Sequence, residues 1–359
     1  RVGFSDWGCY GGTSTPTIDK LADDGVRFTN FYAGGSDPEK SLWCLTTSAH
    51  GGHVLGSRTT RNLYDAMWLG GYATAFIGLW KQSGSPLDIG AEEFVGFLSK
   101  TPVSSFPEEV AVDRATLRIL ANRGESKKFS CDQLLANEVK TYLDRARRTP
   151  RQFFLHVVLP SQASFQNGPK GRAPTDIRTD DAQRLDQFMA SLLQALEQTG
   201  LAHRSVILLT GLSGIPPESD GAQNSEWSSK THGLAEGNLR LPFIIRSPRR
   251  FPVKESPALA AMWDLYPTFL EWGVVQRRVP GMNGASLIPI LRGEEKSRQE
   301  LLYWRTDDGA AQAVRREEWK AVYLATEKSL RLYNLSQDPG ETTNVAQEHP
   351  KVVERMLAK

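Results

Sequence analysis

Apolar residues recur along the chain in two alternating rhythms. In residues 131–145, Leu134, Leu135, Val139, Tyr142 and Leu143 fall three and four apart, the spacing of one helix face. In 181–197, Leu185, Phe188, Met189, Leu192, Leu193 and Leu196 repeat that spacing. Between such segments lie short apolar runs at 26–31, 73–78, 153–159, 205–210 and 241–246. Runs of that length, bounded by polar residues or glycine, read as strands. The run at 153–159 reads as buried, and 205–210 is the most strand-like of all. Residues 16–22 read as a helix: Thr15 can cap it, Pro16 suits its first position, and Gly25 closes it after Ile18, Leu21 and Ala22 share a face. Residues 62–69 and 259–272 also read as helices. Strands alternating with helices predict an α/β fold with parallel strands.

The rhythm changes past Arg292. Runs at 301–304, 311–315, 319–324 and 330–333 are separated by turn residues and predict an antiparallel meander, closed by a helix at 350–357. The charged stretch 292–298 is the expected boundary, giving an α/β domain over 1–292 and a small antiparallel-sheet subdomain over 293–359. Residues 214–229, rich in Gly, Pro, Ser and Asn, read as a long surface loop.

Composition narrows the function. The chain has 359 residues, 40% hydrophobic and 23% charged, enough for one large core and a smaller appendage. Forty-three Lys and Arg against 41 Asp and Glu leave a charge of +2, too balanced for a nucleic-acid footprint. Uninterrupted apolar stretches, such as 153–155 and 157–159 around His156, fall far below the ~18 residues of a membrane span. Three cysteines, Cys9, Cys44 and Cys131, exclude a disulfide scaffold and a Cys-rich zinc module. No G-x-S-x-G elbow, P-loop or G-x-G-x-x-G is present.

Several segments carry a family likeness. Gly3-Phe4-Ser5-Asp6-Trp7-Gly8-Cys9-Tyr10-Gly11-Gly12, then Thr15-Pro16-Thr17-Ile18-Asp19 and Gly25-Val26-Arg27-Phe28-Thr29-Asn30, form the opening. Gly71-Tyr72-Ala73-Thr74 and Arg184-Leu185-Asp186 follow, with Asp264-Leu265-Tyr266-Pro267, Leu332-Tyr333-Asn334-Leu335 and Asp338-Pro339-Gly340-Glu341 near the end. In this order they resemble the type I sulfatase family, across essentially the whole chain. The resemblance implies an alkaline-phosphatase-type α/β sheet flanked by helices, a small C-terminal antiparallel sheet, a calcium ion and hydrolysis of sulfate esters. It also implies an apolar central strand upstream of Arg1.

The resemblance implies four chemical parts: a formylglycine nucleophile from a C-x-P-S-R signature, a hard cation, cationic groups on the sulfate, and a general acid. Aligning His50-Gly51-Gly52-His53 with the family's H-T-G-H turn places that signature on Pro38-Glu39-Lys40-Ser41-Leu42. Only Ser41 matches. Pro38 takes the nucleophile position and cannot become an aldehyde; Leu42 takes the arginine position. Cys44 is the weaker alternative nucleophile, in a segment without the proline or arginine; its other reading is a small buried residue. The calcium positions fall on Arg1, Leu212 and Ser213, with one more upstream of Arg1; none of the three brings a carboxylate, so no cofactor is expected. Asp6 falls on no ligand position and reads as a surface or capping residue. The family's G-K-W-H segment reads Gly78-Leu79-Trp80-Lys81, and its later histidine falls on Ala163. Lys81 and Lys230 remain as anion-binding candidates. With Arg1 at the ligand position and Lys40 in the signature loop, up to four positive charges would surround the relic pocket. His50 and His53 read as structural.

Two functional classes follow. One is a degenerate pseudo-sulfatase, a non-catalytic binding or structural subunit whose partners would be a protein assembly, a second copy or a small anion. The alternative is a divergent sulfuric-ester hydrolase, arylsulfatase-like, with an altered site. The changes fall on nucleophile, metal and sulfate positions while the fold signature persists, which favours the first. The resemblance implies an extracytoplasmic place: periplasmic, secreted or cell-surface.

Overall fold

The structure, a computed structural model, describes residues 2–49, 62–98, 103–161, 164–165, 173–215, 233–247, 251, 254–273, 282–296 and 300–358. In chain order, helix α1 (Pro16–Asp23) leads into strand β1 (Val26–Tyr32), followed by α2 (Pro38–Thr47), α3 (Leu63–Leu69), β2 (Ala73–Trp80) and β3 (Glu93–Leu98). A hairpin of β4 (Glu109–Val112) and β5 (Ala115–Arg118) precedes α4 (Cys131–Ala146), β6 (Phe153–Val158), α5 (Pro174–Gln198) and β7 (Ile207–Thr210). Then come α6 (Glu236–Leu239), β8 (Arg240–Arg246), β9 (Glu255–Ser256), β10 (Ala260–Ala261), α7 (Leu265–Trp272) and α8 (Ile288–Leu291). The chain closes with β11 (Leu302–Arg305), β12 (Ala311–Arg316), β13 (Trp319–Leu324), β14 (Ser329–Asn334) and α9 (Pro350–Leu357).

Two sheets lie between layers of helices. One runs β5-β4-β3-β2-β6, with β3, β2 and β6 parallel. The other runs β10-β1-β8-β7, with β9 also on β1. The expected parallel strands are β3, β2 and β6; antiparallel strands stand in both sheets, β4 between β3 and β5 in the first and β8 between β1 and β7 in the second. Strand alternation sends successive side chains to opposite faces. On β2, Phe76 and Trp80 join the large core with Phe28, Phe31, Phe94 and Trp263. Ala75, Ile77 and Leu79 face the other way, into a second core with Ile18, Leu135, Val139, Phe188 and Met189. Burial on both faces is why these strands read as continuous apolar runs.

Three expectations need correction. Residues 259–272 do not form one helix. Ala260 and Ala261 pair in parallel with Phe31 and Tyr32, and the helix starts only at Leu265. Asp264 makes the break, its carboxylate accepting the amides of Ala261 and Ala285 at 2.8 Å. The signature segment 38–42, expected as a loop holding Lys40, is instead the start of helix α2: Asp37 caps it by accepting the Glu39 amide at 2.8 Å, and Pro38 occupies its first turn. The 153–159 run is not fully buried. Only Phe154 of β6 is, because β6 ends its sheet and borders a cavity.

The C-terminal meander forms as an antiparallel sheet ordered β11-β12-β13-β14. Its Trp304, Val322 and Tyr333 belong to the large core, and the Trp304 indole donates to the Ala33 carbonyl at 2.9 Å. On its other side Trp319, Ala321 and Leu332 pack with Met356 of α9.

Candidate functional site

Helix α2 stands at the rim of a cavity of 1260 Å³, to which Asp37, Pro38, Glu39, Leu42 and Lys81 contribute. Its start follows from sequence: an Asp-Pro pair supplies a side-chain acceptor for orphan amides and a pre-set φ. Its end is set by Ser48, at φ 57°, whose hydroxyl donates to Trp263 O at 2.7 Å and accepts from the Gly284 amide at 3.1 Å. The helix is therefore pinned at both ends.

The residues that the resemblance aligns with the signature, Pro38 to Leu42, lie on this helix. Pro38 presents a ring without a reactive atom. The Ser41 hydroxyl is buried and accepts the Gly34 amide at 2.9 Å, a structural use. Leu42 is buried. The Cys44 sulfur lies 3.8 Å from the Gly34 carbonyl, and burial pushes its thiol up to about 12, against the smaller pull of Lys40. A thiol held protonated is a poor nucleophile.

Of the four candidate cations, Lys40 and Lys81 are described. Lys40 pairs with Asp307 at 2.8 Å. Lys81 lies 3.3 Å from the Ser164 hydroxyl, which is 3.2 Å from that of Ser161. Lys81 also faces a carboxylate: burial and Asp37 push Glu39 up, and Lys81 pulls it down. The cluster of uncompensated positive charge is thus reduced at both described lysines. Arg1, Lys230, His50, His53, His232 and Ala163 lie outside the described residues.

At the calcium positions, Leu212 brings no oxygen on its side chain. Ser213 is buried; its carbonyl accepts the Val2 amide at 2.9 Å, and its hydroxyl has no hydrogen-bond partner. One hydroxyl beside a leucine does not fit an ion that takes six to eight oxygens, so no step is derived through calcium. Among the described residues no three His, Cys, Asp or Glu side chains gather as a metal site. Asp6 caps a turn, accepting the Gly3 amide at 2.6 Å and facing Arg178 at 3.7 Å.

Sequence reasoning missed Glu39, Ser161 and Ser164 as neighbours of Lys81. Ser161 and Ser164 flank the degenerate Ala163 position, a signal available but unused. It also missed the buried charges of Glu236, Lys320 and Glu341, for which no spacing signal exists because they come from three distant segments.

Comparison with known proteins places the chain in context. The profile described as Sulfatase matches residues 1–274, and that described as N-sulphoglucosamine sulphohydrolase, C-terminal, matches 226–359. N-acetylgalactosamine-6-O-sulfatase of Bacteroides thetaiotaomicron is 21% identical, over 99% of this chain and 89% of its own. Human arylsulfatase A is 26% identical, over 99% of this chain and 84% of its own. In fold, the crystal structure of PsFucS1 sulfatase from Pseudoalteromonas aligns with a TM-score of 0.78 at 19% identity, over 99% of this chain and 86% of that one.

Proposed function

This chain belongs to the sulfatase family, and we propose that within it the chain is a non-catalytic member with a binding or structural role. The observation that carries this reading is helix α2. Its first residue, at the position aligned with the nucleophile, is Pro38; the arginine position is the buried Leu42, and the one nearby thiol, Cys44, is buried and held protonated. Removing one acid–base group typically lowers a rate by ~10²–10⁴. Here the groups for attack, for charge stabilisation and for metal binding are replaced together.

The role that remains is recognition. A weakly held sulfate, phosphate or carboxylate at Lys81, beside Ser161 and Ser164, is the ligand chemistry this corner favours, with Glu39 limiting its affinity. Lys230 would be the second cation. No bound metal or nucleic acid belongs to this reading. A protein assembly or a second copy is the partner class, in an extracytoplasmic setting. Among the described residues no helix is long and apolar enough to cross a membrane.

The test is direct. Intact mass of the purified protein should retain three unmodified cysteines, and aryl sulfates should hydrolyse no faster than in buffer. Turnover above background that Cys44→Ala abolishes would establish the divergent hydrolase instead. Purification under native conditions should bring down a stoichiometric partner or a stable oligomer; a lone monomer that binds no anion leaves the recognition reading without support.

A further inference from the structure

The end of α3 departs from the pattern of its own helix. Leu63, Tyr64, Ala66 and Met67 are buried, whereas Trp68 is 51% exposed and Leu69 is 50% exposed. Single exposed apolar residues are ordinary, but a tryptophan and a leucine side by side at a helix end form an apolar knob. The chain leaves that knob through Gly70 and Gly71, both exposed, and a Cβ added at Gly71 would meet nothing within 4 Å. The turn faces open space.

Arginines are fastened to this turn. The Trp68 side chain hydrogen-bonds the Glu92 carboxylate, which also accepts from both terminal nitrogens of Arg151, at 3.0 and 3.1 Å. Arg151 donates further to the carbonyls of Gly71 and Tyr72, at 3.4 and 2.6 Å, where a helix end leaves carbonyls without partners. Strands β2 and β6 then start side by side, with Ala73 opposite Phe153. The turn that closes α4, with Arg145, Arg147 and Arg148, is thereby held near the knob. Arg204, just before β7, lines the same cavity as Arg147 and Arg151. Three of these arginines have acidic partners: Arg151 has Glu92, Arg145 has Glu93 and Arg147 has Asp144. Arg148 and Arg204 are exposed and form no ion pair with another described residue. The face therefore combines an apolar knob with a surplus of positive charge. It lies at the opposite end of β2 from Lys81, eight residues or about 26 Å away.

We propose that this face docks the protein peripherally on an anionic lipid surface, with Trp68 and Leu69 entering the headgroup layer and Arg148 and Arg204 meeting lipid phosphates. Tryptophan suits that boundary because its ring is apolar and its N–H polar. Each cation near an anionic leaflet strengthens binding about fivefold. An acidic protein would also meet the arginines, but it would need a shaped pocket for the knob; a lipid surface accepts the knob without one. Contact of this kind needs no membrane-spanning helix. The charge surplus is small, so the binding is weak, reversible and salt-sensitive. It leaves the Lys81 corner at the far end of the strand and does not depend on whether the family's chemistry survives.

Sedimentation with vesicles tests the proposal. The purified protein should bind vesicles of mixed phosphatidylglycerol and phosphatidylcholine at low salt, bind phosphatidylcholine alone at least about 10-fold more weakly, and lose most of its binding in about 0.5 M salt. Arg148→Gln and Arg204→Gln should each weaken binding about fivefold. Trp68→Ser combined with Leu69→Ser should weaken it about 10-fold or more. Melting temperatures equal to that of the native protein show that the fold is kept. Should the serine variant fail to fold, Trp68→Phe carries the test alone. Phosphatidylcholine brominated in its acyl chains should quench the native protein's tryptophan emission on binding, and Trp68→Phe should bind as tightly while losing most of the quench. No binding to the anionic vesicles, binding unchanged by the knob substitutions, or a quench that survives Trp68→Phe overturns the proposal. Binding of soluble polyglutamate as tight as that of vesicles, without any quench, also overturns it and assigns the face to an acidic protein.

Discussion

Lys320 holds Glu236 at 3.0 Å, Nζ to Oε1, with neither side chain exposed. The same ammonium lies 2.8 Å from Glu341, whose other oxygen accepts the Glu236 amide at 2.7 Å. The Tyr32 hydroxyl of β1 donates to the remaining Glu236 oxygen at 3.0 Å. One lysine of the C-terminal sheet thus ties together residues from α6 and the segment after β14, and through Glu236 reaches the large sheet. Removing one partner of a buried ion pair leaves an uncompensated charge and costs about 3–5 kcal/mol. Lys320→Met should lower unfolding stability by that amount in urea titrations; a loss under about 1 kcal/mol would mean that water replaces the ammonium.

The same cluster sets an alkaline limit. Burial alone would lower the Lys320 value, but Glu341 and Glu236 outweigh it and hold it above its ordinary range. A folded value above the unfolded one means that the contribution is complete below about pH 10.4 and fades as pH rises through the folded value. Stability plotted against pH should fall more steeply above pH ~10 in the native protein than in Lys320→Met. Parallel curves would contradict this.

His156 gives the opposite sign. His156 is half-buried beside the cavity, but desolvation among Tyr64, Phe76 and Phe154 holds its imidazole down to about 4, and the Tyr64 hydroxyl lies 2.8 Å from Nδ1. The unfolded chain takes up a proton near pH 6.5 while the folded chain does not, so stability should decline as pH falls from about 6.5 towards 4. His156→Phe should flatten that part of the curve. Chemical-denaturation midpoints across this range check it, and an unchanged slope would remove His156 from the account.

Gly78 sits in register between Gly96 of β3 and Val158 of β6. Its φ is +127°, and an added Cβ would run into the Val158 carbonyl. Gly78→Ala should therefore destabilise by more than the ~0.4–1 kcal/mol that the same change gains at a compatible site. Reduced soluble yield and a lowered melting temperature are expected; a native-like melting temperature would show that β2 and β6 can part locally.

The thiols offer a test of the proposed chemical silence. Burial pushes Cys9, Cys44 and Cys131 each up to about 12. Iodoacetamide at pH 8 should label none of them quickly in the folded protein and all three in denaturant, because the thiolate is the reactive form. Rapid labelling of Cys44 in the folded state would reopen its candidacy as a nucleophile.

Much of the framework was legible in the chain itself. The helical spacing of Leu135, Val139 and Leu143, and the apolar runs of β2 and β8, are local patterns that a buried face imposes on any sequence. The residues on which the proposed non-catalytic reading rests, Pro38, Leu42 and Leu212, were equally visible, since chemistry requires particular atoms. Local pattern failed at Ala260 and Ala261, where pairing with β1 overrides an apolar run that suits a helix. It also failed at β6, whose apolar residues say that it is covered but not by what.

Three arrangements were decided only by tertiary structure. Lys40 turns to Asp307, and Lys81 lies 3.3 Å from the Ser164 hydroxyl and near enough to Glu39 to lower its carboxyl, partners that sequence order did not suggest. Lys320, Glu236 and Glu341 lie up to 105 positions apart and meet in one buried cluster. β6 and β7, each at the end of its sheet among the described residues, line one cavity. Residue types and their periodicity determine which segments must be buried and which side-chain atoms each position offers, because both are properties of the local chain. Which charges meet, and which strand edges share a space, depends on contacts between distant segments, and those exist only once the chain has packed.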